Sequence, residues 1–375
     1  MINEASAITV VMMSQGTFTP RAELRDHEWD NQRKDWRRPP LDRAVLKELT
    51  ERSTANGLVR SVYFVSLLSA AAVVTVVVAR TNVWLAILPL YAYYFLYGFW
   101  VALGHELQHR TVFAKSADWL NETVFYPVQT LMWNSPTYAR VSHKLHHRYT
   151  MVRGHDPETD WPEVITTKWL RRHLLKLASR MLVIGAVIDL GRAVLRQVRR
   201  ASGVQDWMMR DHCTADQCRA IRVESLAILI AHAAVVAVAI LTRTWWLLIF
   251  VTIAWQIGSA FEQLWHNTKH LGLPRNVNDH RLNTRSVRVG WFIRSFFWGL
   301  DDHVEHHLYP AVPSRKLKEL HTLLKPELRE AEPMLLCWKE MFEISREKER
   351  DPGREFVPDL PPSRASDSPA GKQSS

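Results

Sequence analysis

The chain has 375 residues, 47% hydrophobic and 23% charged, with a formal net charge of +10. Three cysteines, Cys213, Cys218 and Cys337, form an odd set at unhelpful spacing. They imply no disulfide framework and suit a reducing compartment. Cys213 and Cys218 lack a second pair to complete a zinc site and read as incidental thiols. Mean hydropathy is that of a globular protein, but the apolar residues are bunched, and bunching is what a bilayer demands.

In chain order, residues 1–57 form a polar N-terminal segment on the cytosolic side. Its short apolar piece, Ala7 to Met13, has no basic region before it and no cleavage site after it, so it is not a secretory signal. The basic run Arg33-Lys34-Asp35-Trp36-Arg37-Arg38 reads as solvated or facing lipid headgroups, because no nucleic-acid recognition fold accompanies it. Two apolar stretches follow, 58–78 and 83–103, each about the 20 residues needed to cross hydrocarbon. The link Ala79-Arg80-Thr81-Asn82 makes them an antiparallel hairpin, and the second stretch runs directly into HELQH, with His105 and His109 at i, i+4.

Residues 104–224 are rich in Lys and Arg, the mark of a cytoplasmic segment. Here HKLHH places His143, His146 and His147 at i, i+3, i+4. Residues 119–133 are apolar but too short to span and contain Pro127, so they read as an interfacial or re-entrant piece. Residues 181–198, interrupted by Asp189, Arg192 and Arg196, read as a surface-lying helix. A second hairpin, 226–241 and 245–261, returns the chain to the same side and leads into His266 and His270. Then comes HVEHH with His303, His306 and His307, so all four clusters can share one cytosolic face. Tryptophans such as Trp84, Trp100, Trp245, Trp246 and Trp255 suit an interfacial belt. A helical extension is expected over 326–345 and a disordered, Pro- and Ser-rich tail over 346–375.

The expected architecture is all-α and integral to the membrane, with four transmembrane helices in two hairpins and a cytosolic helical cap carrying the histidines. Ten of 17 histidines fall in these four clusters. One tetrahedral zinc takes three or four ligands, so nine or ten imidazoles suit two metals. Neutral nitrogen ligands leave the metal charge uncompensated and favour oxygen-derived anions. Iron supplies the electrons that zinc cannot. A site where membrane helices emerge points to a hydrocarbon-chain substrate.

The three boxes HELQH, HKLHH and HVEHH, in this order around two hairpins, resemble those of the membrane fatty acid desaturase superfamily. The flanks agree: Gly104 before the first box, Asp156-Pro157-Glu158-Thr159-Asp160 after the second, and Leu308-Tyr309-Pro310 after the third. The resemblance covers residues 58–325. It implies a non-haem di-iron centre, dioxygen as co-substrate and a fatty acyl or other lipid substrate drawn from membrane lipids. It carries over His105, His109, His143, His146, His147, His303, His306 and His307 as ligands, with His270 as the ligand after the fourth helix. His266 departs from the pattern and is a candidate tenth ligand, with a water-bridged or outer role as the alternative. Desaturation is the expected reaction, and hydroxylation or ketolation by similar boxes is the alternative. The chain has no cytochrome b5 segment, so electrons come from a separate donor of ferredoxin or cytochrome b5 type with its reductase. A net charge of +10 favours an acidic one.

A rival pattern overlaps the first box. His105-Glu106-Leu107-Gln108-His109 satisfies HExxH, in which two histidines hold zinc and the glutamate activates water, as an intramembrane zinc protease would. That reading leaves the other clusters unexplained; a metal transporter would place its histidines along a path within the membrane. Glu106, Asp156, Asp160, Asp301, Asp302 and Glu305 are expected to accept hydrogen bonds from imidazole N–H groups rather than ligate. His27, His173, His212, His232 and His321 are expected to be ordinary core or surface residues, with His155 and His280 less easily dismissed because they lie near the boxes.

Overall fold

A computed structural model describes residues 16–21 and 36–361. Ala7 to Met13, His27 and Arg33 to Asp35 lie outside the described residues. The strand β1 (Gly16–Pro20) and helix α1 (Arg43–Leu49) precede the first long helix, α2 (Thr54–Ala79), capped by the Ser53 hydroxyl on Asn56 N. Next come α3 (Ile87–Gly98) and α4 (Trp100–Gln108), which meet at Phe99, then α5 (Asp118–Leu131) and α6 (Pro136–Arg148). Two further helices, α7 (Thr167–Met181) and α8 (Ile184–Ala201), and the short α9 (Trp207–His212) lead to α10 (Ala215–Thr242). After α10 a π-helical turn, Leu248–Thr252, precedes α11 (Ala254–His266). The remainder is α12 (His280–Asn283), β2 (Val287–Arg288), α13 (Trp291–Phe296), α14 (His303–Leu308), α15 (Leu317–Leu324), β3 (Glu332–Pro333), α16 (Met334–Arg350) and β4 (Arg354–Pro358).

The fold is mostly helical, and among the described residues three helices are long and apolar enough to cross a membrane: Thr54–Ala79, Ile87–Gln108 and Ala215–Thr242. Apolar side chains of α2, among them Val62, Val65, Val73 and Val77, are exposed, as expected of the outer face of a span. The fourth expected span, 245–261, does not form one continuous α-helix, because the π turn divides it from α11. Its partner explains its shape. A Cβ on Gly98 would lie 2.2 Å from the Gly258 carbonyl oxygen, and one on Gly258 would lie 2.6 Å from that of Tyr94. The two glycines thus let α3 and α11 touch backbone to backbone, a contact typical of helices packed without a hydrophobic driving force.

Three other expectations change. The helix expected to begin near 226 begins at Ala215, where Thr214 and Gln217 form a reciprocal capping box that holds its polar first turns. Residues 346–361 are ordered rather than disordered: α16 runs to Arg350, and β4 pairs antiparallel with β1 from Gly16↔Pro358 to Pro20↔Arg354. That ladder buries Phe356 against Phe18. With β2 and β3 it also qualifies the all-α expectation by two small two-stranded sheets. Finally, the N-terminal segment is not wholly solvated. Trp36 is buried, stacks on His280 at 3.8 Å and donates its Nε1–H to the Arg148 carbonyl, so this stretch covers the histidine-bearing helices.

Candidate metal centre

Four segments deliver the histidines. Helix α4 ends on His105 and His109, the latter its C-cap, and Arg110 follows in the left-handed region at φ 57°, turning the chain away at once. Helix α6 carries His143, His146 and His147; its start is fixed by Pro136 in the first turn and by the Ser135 hydroxyl accepting from Tyr138 N. His270 lies just past the 3-10 turn after α11, and α14 carries His303, His306 and His307.

Nine of the ten candidate ligands gather into two groups, within each of which one nitrogen per residue lies within 4.8 Å of the others: His105, His109, His143, His147 and His306; and His146, His270, His303 and His307. Each three-histidine box is shared between the groups. On α6 the i, i+4 pair His143 and His147 joins the first and His146 the second; on α14 His306 joins the first and the pair His303 and His307 the second. The groups adjoin, with the His147 and His307 ring centroids 4.5 Å apart.

Within a group, nitrogens face one another. In the first, Nε2–Nε2 distances are 2.8 Å for His109–His143, 3.0 Å for His143–His147 and 3.0 Å for His147–His306. In the second they are 3.1 Å for His270–His303 and 3.2 Å for His303–His307. The opposite ring nitrogens are anchored. His143 Nδ1–H donates to Glu158 (3.3 Å), His146 Nδ1–H to Asp156 (3.0 Å) and His270 Nδ1–H to the Asn283 carbonyl (3.0 Å). The Thr150 hydroxyl spends its proton on the His146 carbonyl (2.7 Å), so it accepts from His307 Nδ1–H (3.3 Å). These bonds fix the tautomer that leaves the Nε2 lone pair free.

Converging lone pairs repel unless a cation lies between them, and this is the fit expected of a metal. Nitrogens about 2.1 Å from a metal are about 3.0 Å apart at 90° and about 3.4 Å apart at a tetrahedral angle. The observed spacings match the former, and five donors in one group exceed a tetrahedral set. Both ring nitrogens of His105, and the Nδ1 atoms of His147, His303 and His306, are buried without a hydrogen-bond partner among the described residues. Burial, reinforced by neighbouring imidazoles, pushes the pKa of His109, His147, His306 and His307 well below 6.5 and so keeps these rings neutral. His270 is lowered likewise by burial and by His146, and His303 by burial and by the Lys269 ammonium. His146 differs: burial lowers it, but Asp156 and Glu158 together more than offset that.

His266 joins neither group; it is partly exposed, with Nδ1 3.5 Å from Glu262. His280 also stands outside, stacked on Trp36 and tilted at 46° against His307, and burial with Arg38 lowers it to about 3. His155 bonds the Arg153 carbonyl, His173 meets Asn267, His212 lies against Trp207, His232 stacks on Trp133, and His321 bonds Glu305. Of the acids, Asp156 contacts a box histidine as expected. Glu106 Oε1 lies 3.6 Å from His105 Nδ1, beyond hydrogen-bond reach, while its Oε2 accepts from the Thr111 hydroxyl and from Ser314 N (3.0 Å each), tying α4 to the chain after the third box. Asp301 and Asp302 are held by Arg294, and Glu305 by Ser286 and His321, all steadying α14. Asp160 is exposed. Sequence reasoning missed Glu158, Thr150 and Asn283, which only the tertiary fold brings to the rings. It also missed Lys269, whose fully buried Nζ lies 5.2 Å from the Phe297 ring centre with no hydrogen-bond partner among the described residues.

A mostly helical scaffold with candidate membrane-crossing helices presents two adjoining all-imidazole groups, the class of site that could hold metal ions in nitrogen-rich shells. The fatty acid desaturase family model matches residues 82–337, two thirds of the chain. The protein belongs to that family, which makes it an oxidoreductase acting on lipids. Comparison with curated proteins gave no match.

Proposed function

We propose that the protein is a di-iron oxidase that uses dioxygen to desaturate a fatty acyl or other lipid hydrocarbon chain. The observation that carries this reading is the pair of imidazole groups, five and four nitrogens strong, with spacing suited to a six-coordinate metal. His105, His109, His143, His147 and His306 would hold one iron, and His146, His270, His303 and His307 the other. When bound, the irons would activate dioxygen, the oxidant that an unactivated methylene C–H bond requires.

What the chain itself does follows from its geometry. Asp156, Glu158, Thr150 and Asn283 hold rings in the metal-binding tautomer. The partly exposed His266 is best placed as an outer group, reaching the centre through water or through Glu262. An apolar cavity of about 400 Å³ between α2, α4 and α5, lined by Val62, Val65, Trp100, Leu103, Pro127 and Leu131, offers room for a hydrocarbon chain. Between α4 and α5 Gln129 is fully buried, its amide without a hydrogen-bond partner among the described residues, and a Cβ on Gly104, the residue before His105, would lie 3.2 Å from Gln129 Nε2. A second cavity of about 630 Å³ opens onto His109, His143 and His147 between Arg38, Arg110, Arg140, Lys144 and Arg148. Its positive wall supports docking of an acidic electron donor, of ferredoxin or cytochrome b5 type with its reductase. The Lys- and Arg-rich loop supports a cytoplasmic position for this face.

Expression in a lipid-producing host followed by mass spectrometry of extracted lipids tests the reaction. Loss of two hydrogens from an acyl chain is expected. Gain of one oxygen would transfer the protein to the hydroxylases of the family, and an unchanged lipid profile in cells supplied with the electron donor would count against lipid oxidation.

A further inference from the structure

Helix α8 is divided lengthwise into three faces. Leu190, Ala193, Val194 and Gln197 turn inward, where Ala193 is buried and Leu190 and Val194 pack against Ile228 and Leu229 of α10. On the opposite side Ile184, Val187, Ile188, Leu195 and Val198 form a strip that is 47–72% exposed. Among the described residues no element covers it, and in a chain with candidate membrane-crossing helices the remaining apolar medium is the bilayer. On one flank, at i, i+4, i+7, stand Arg192, Arg196 and Arg199, with Arg200 beside them.

These arginines wall a cavity of about 310 Å³ together with Leu195, Val204, Gln205 and Asp206. Two carboxylates compete for them. Asp189 takes Arg192 Nη1 at 2.7 Å, and Asp206 takes Arg200 Nη2 at 3.2 Å. Arg200 is 5% exposed and its guanidinium lies 3.5 Å over the Tyr138 ring, yet its Nη1 is buried without a hydrogen-bond partner. The guanidinium groups of Arg196 and Arg199 form no hydrogen bond or ion pair among the described residues. The cavity therefore holds more fixed positive charge than its own acids balance, one buried donor unused, and an apolar strip continuous with it through Leu195.

We infer that this cavity binds the phosphate of an anionic phospholipid, with the acyl chains lying along the exposed strip of α8. A guanidinium cluster recognises phosphate oxygens by charge-assisted hydrogen bonds, and a soluble anion would leave the apolar strip unused. The site lies apart from both imidazole groups and does not depend on the reaction proposed above.

Native mass spectrometry of the purified full chain in detergent tests this, with phosphatidylglycerol, phosphatidylcholine and inorganic phosphate as separate probes. Wild type is expected to retain phosphatidylglycerol in preference to phosphatidylcholine, and R196Q/R199Q to bind it about thirtyfold more weakly, as two interfacial charges predict. R196K/R199K should stay within a few-fold of wild type, and R171Q/R172Q on α7 should change nothing. If the double variant does not fold, R199Q alone carries the test with about a fivefold loss. The inference is overturned if the glutamine variants keep wild-type affinity, if the α7 variant loses as much, if the lysine variant loses as much as the glutamine variant, or if inorganic phosphate binds as tightly as the lipid.

Discussion

Asp156→Asn separates the two groups of histidines. The Asp156 side chain is wholly buried and accepts from His146 Nδ1 (3.0 Å), Met151 N (2.9 Å), Glu158 N (2.9 Å) and Thr159 Oγ1 (2.7 Å). Asparagine keeps the shape and one acceptor oxygen, but turns the other end into a donor and removes the charge that favours His146 as a strong ligand. Losing such a partner weakens metal binding by about 10–100-fold, or ~1.4–2.7 kcal/mol. His146 serves only the second group, so the loss falls there, and His105, His109, His143, His147 and His306 should hold their ion as before. Graded chelation with metal analysis reads this directly: the variant should release one ion at a chelator concentration about 10–100-fold lower, and the other at the wild-type concentration. Equal weakening of both ions, or of neither in a folded protein, would refute the division into two groups.

Gly98→Ala should lower stability in detergent by about 3 kcal/mol, because the new Cβ would lie 2.2 Å from a backbone oxygen that cannot yield. Gly191→Ala, where a Cβ meets nothing within 4 Å, should be neutral or gain ~0.5–1 kcal/mol, and equal thermal shifts for the two would refute the close packing of α3 on α11. Val65→Trp, which fills the α2–α4–α5 cavity from its exposed side, should cut turnover at least about tenfold while leaving metal content unchanged. Full turnover would place the chain-binding path elsewhere. Burial raises the Glu340 pKa, but Arg285 (2.8 Å) and Arg329 (2.6 Å) outweigh it and hold the carboxyl below 4.5. Between that lowered value and 4.5 the unfolded chain binds more protons, so this contribution is complete above pH 4.5 and is lost as pH falls through the folded value. Thermal unfolding of Glu340→Gln should therefore show a lower midpoint at pH 7 and a shallower fall on acidification; parallel curves would contradict it.

The histidines were legible because ligand spacing on a helix is a local property: i, i+3, i+4 survives in sequence whatever the fold does around it. How each triplet divides between two groups was not legible, since it depends on how the tertiary fold sets α6 against α14. The same limit hid Glu158, Thr150 and Asn283, ordinary polar residues until the fold sets them against imidazole nitrogens. His266 has the spacing of a ligand, but its ring turns toward Glu262 rather than into either group. The tail looked unstructured because its proline content argues for disorder, while the partner that orders β4 lies over 300 residues away in β1. The capping box at Thr214 and Gln217 was visible in the sequence and would have placed the start of α10 correctly.

The most direct measurement is metal analysis of the protein purified from iron-replete cells, combined with X-ray absorption at the iron edge. Two irons per chain, each in a shell of nitrogen scatterers at about 2.1 Å, are predicted. A single zinc bound at full occupancy, with no iron and no loss on replacing His306, would contradict the claim that two imidazole groups cage a pair of redox ions.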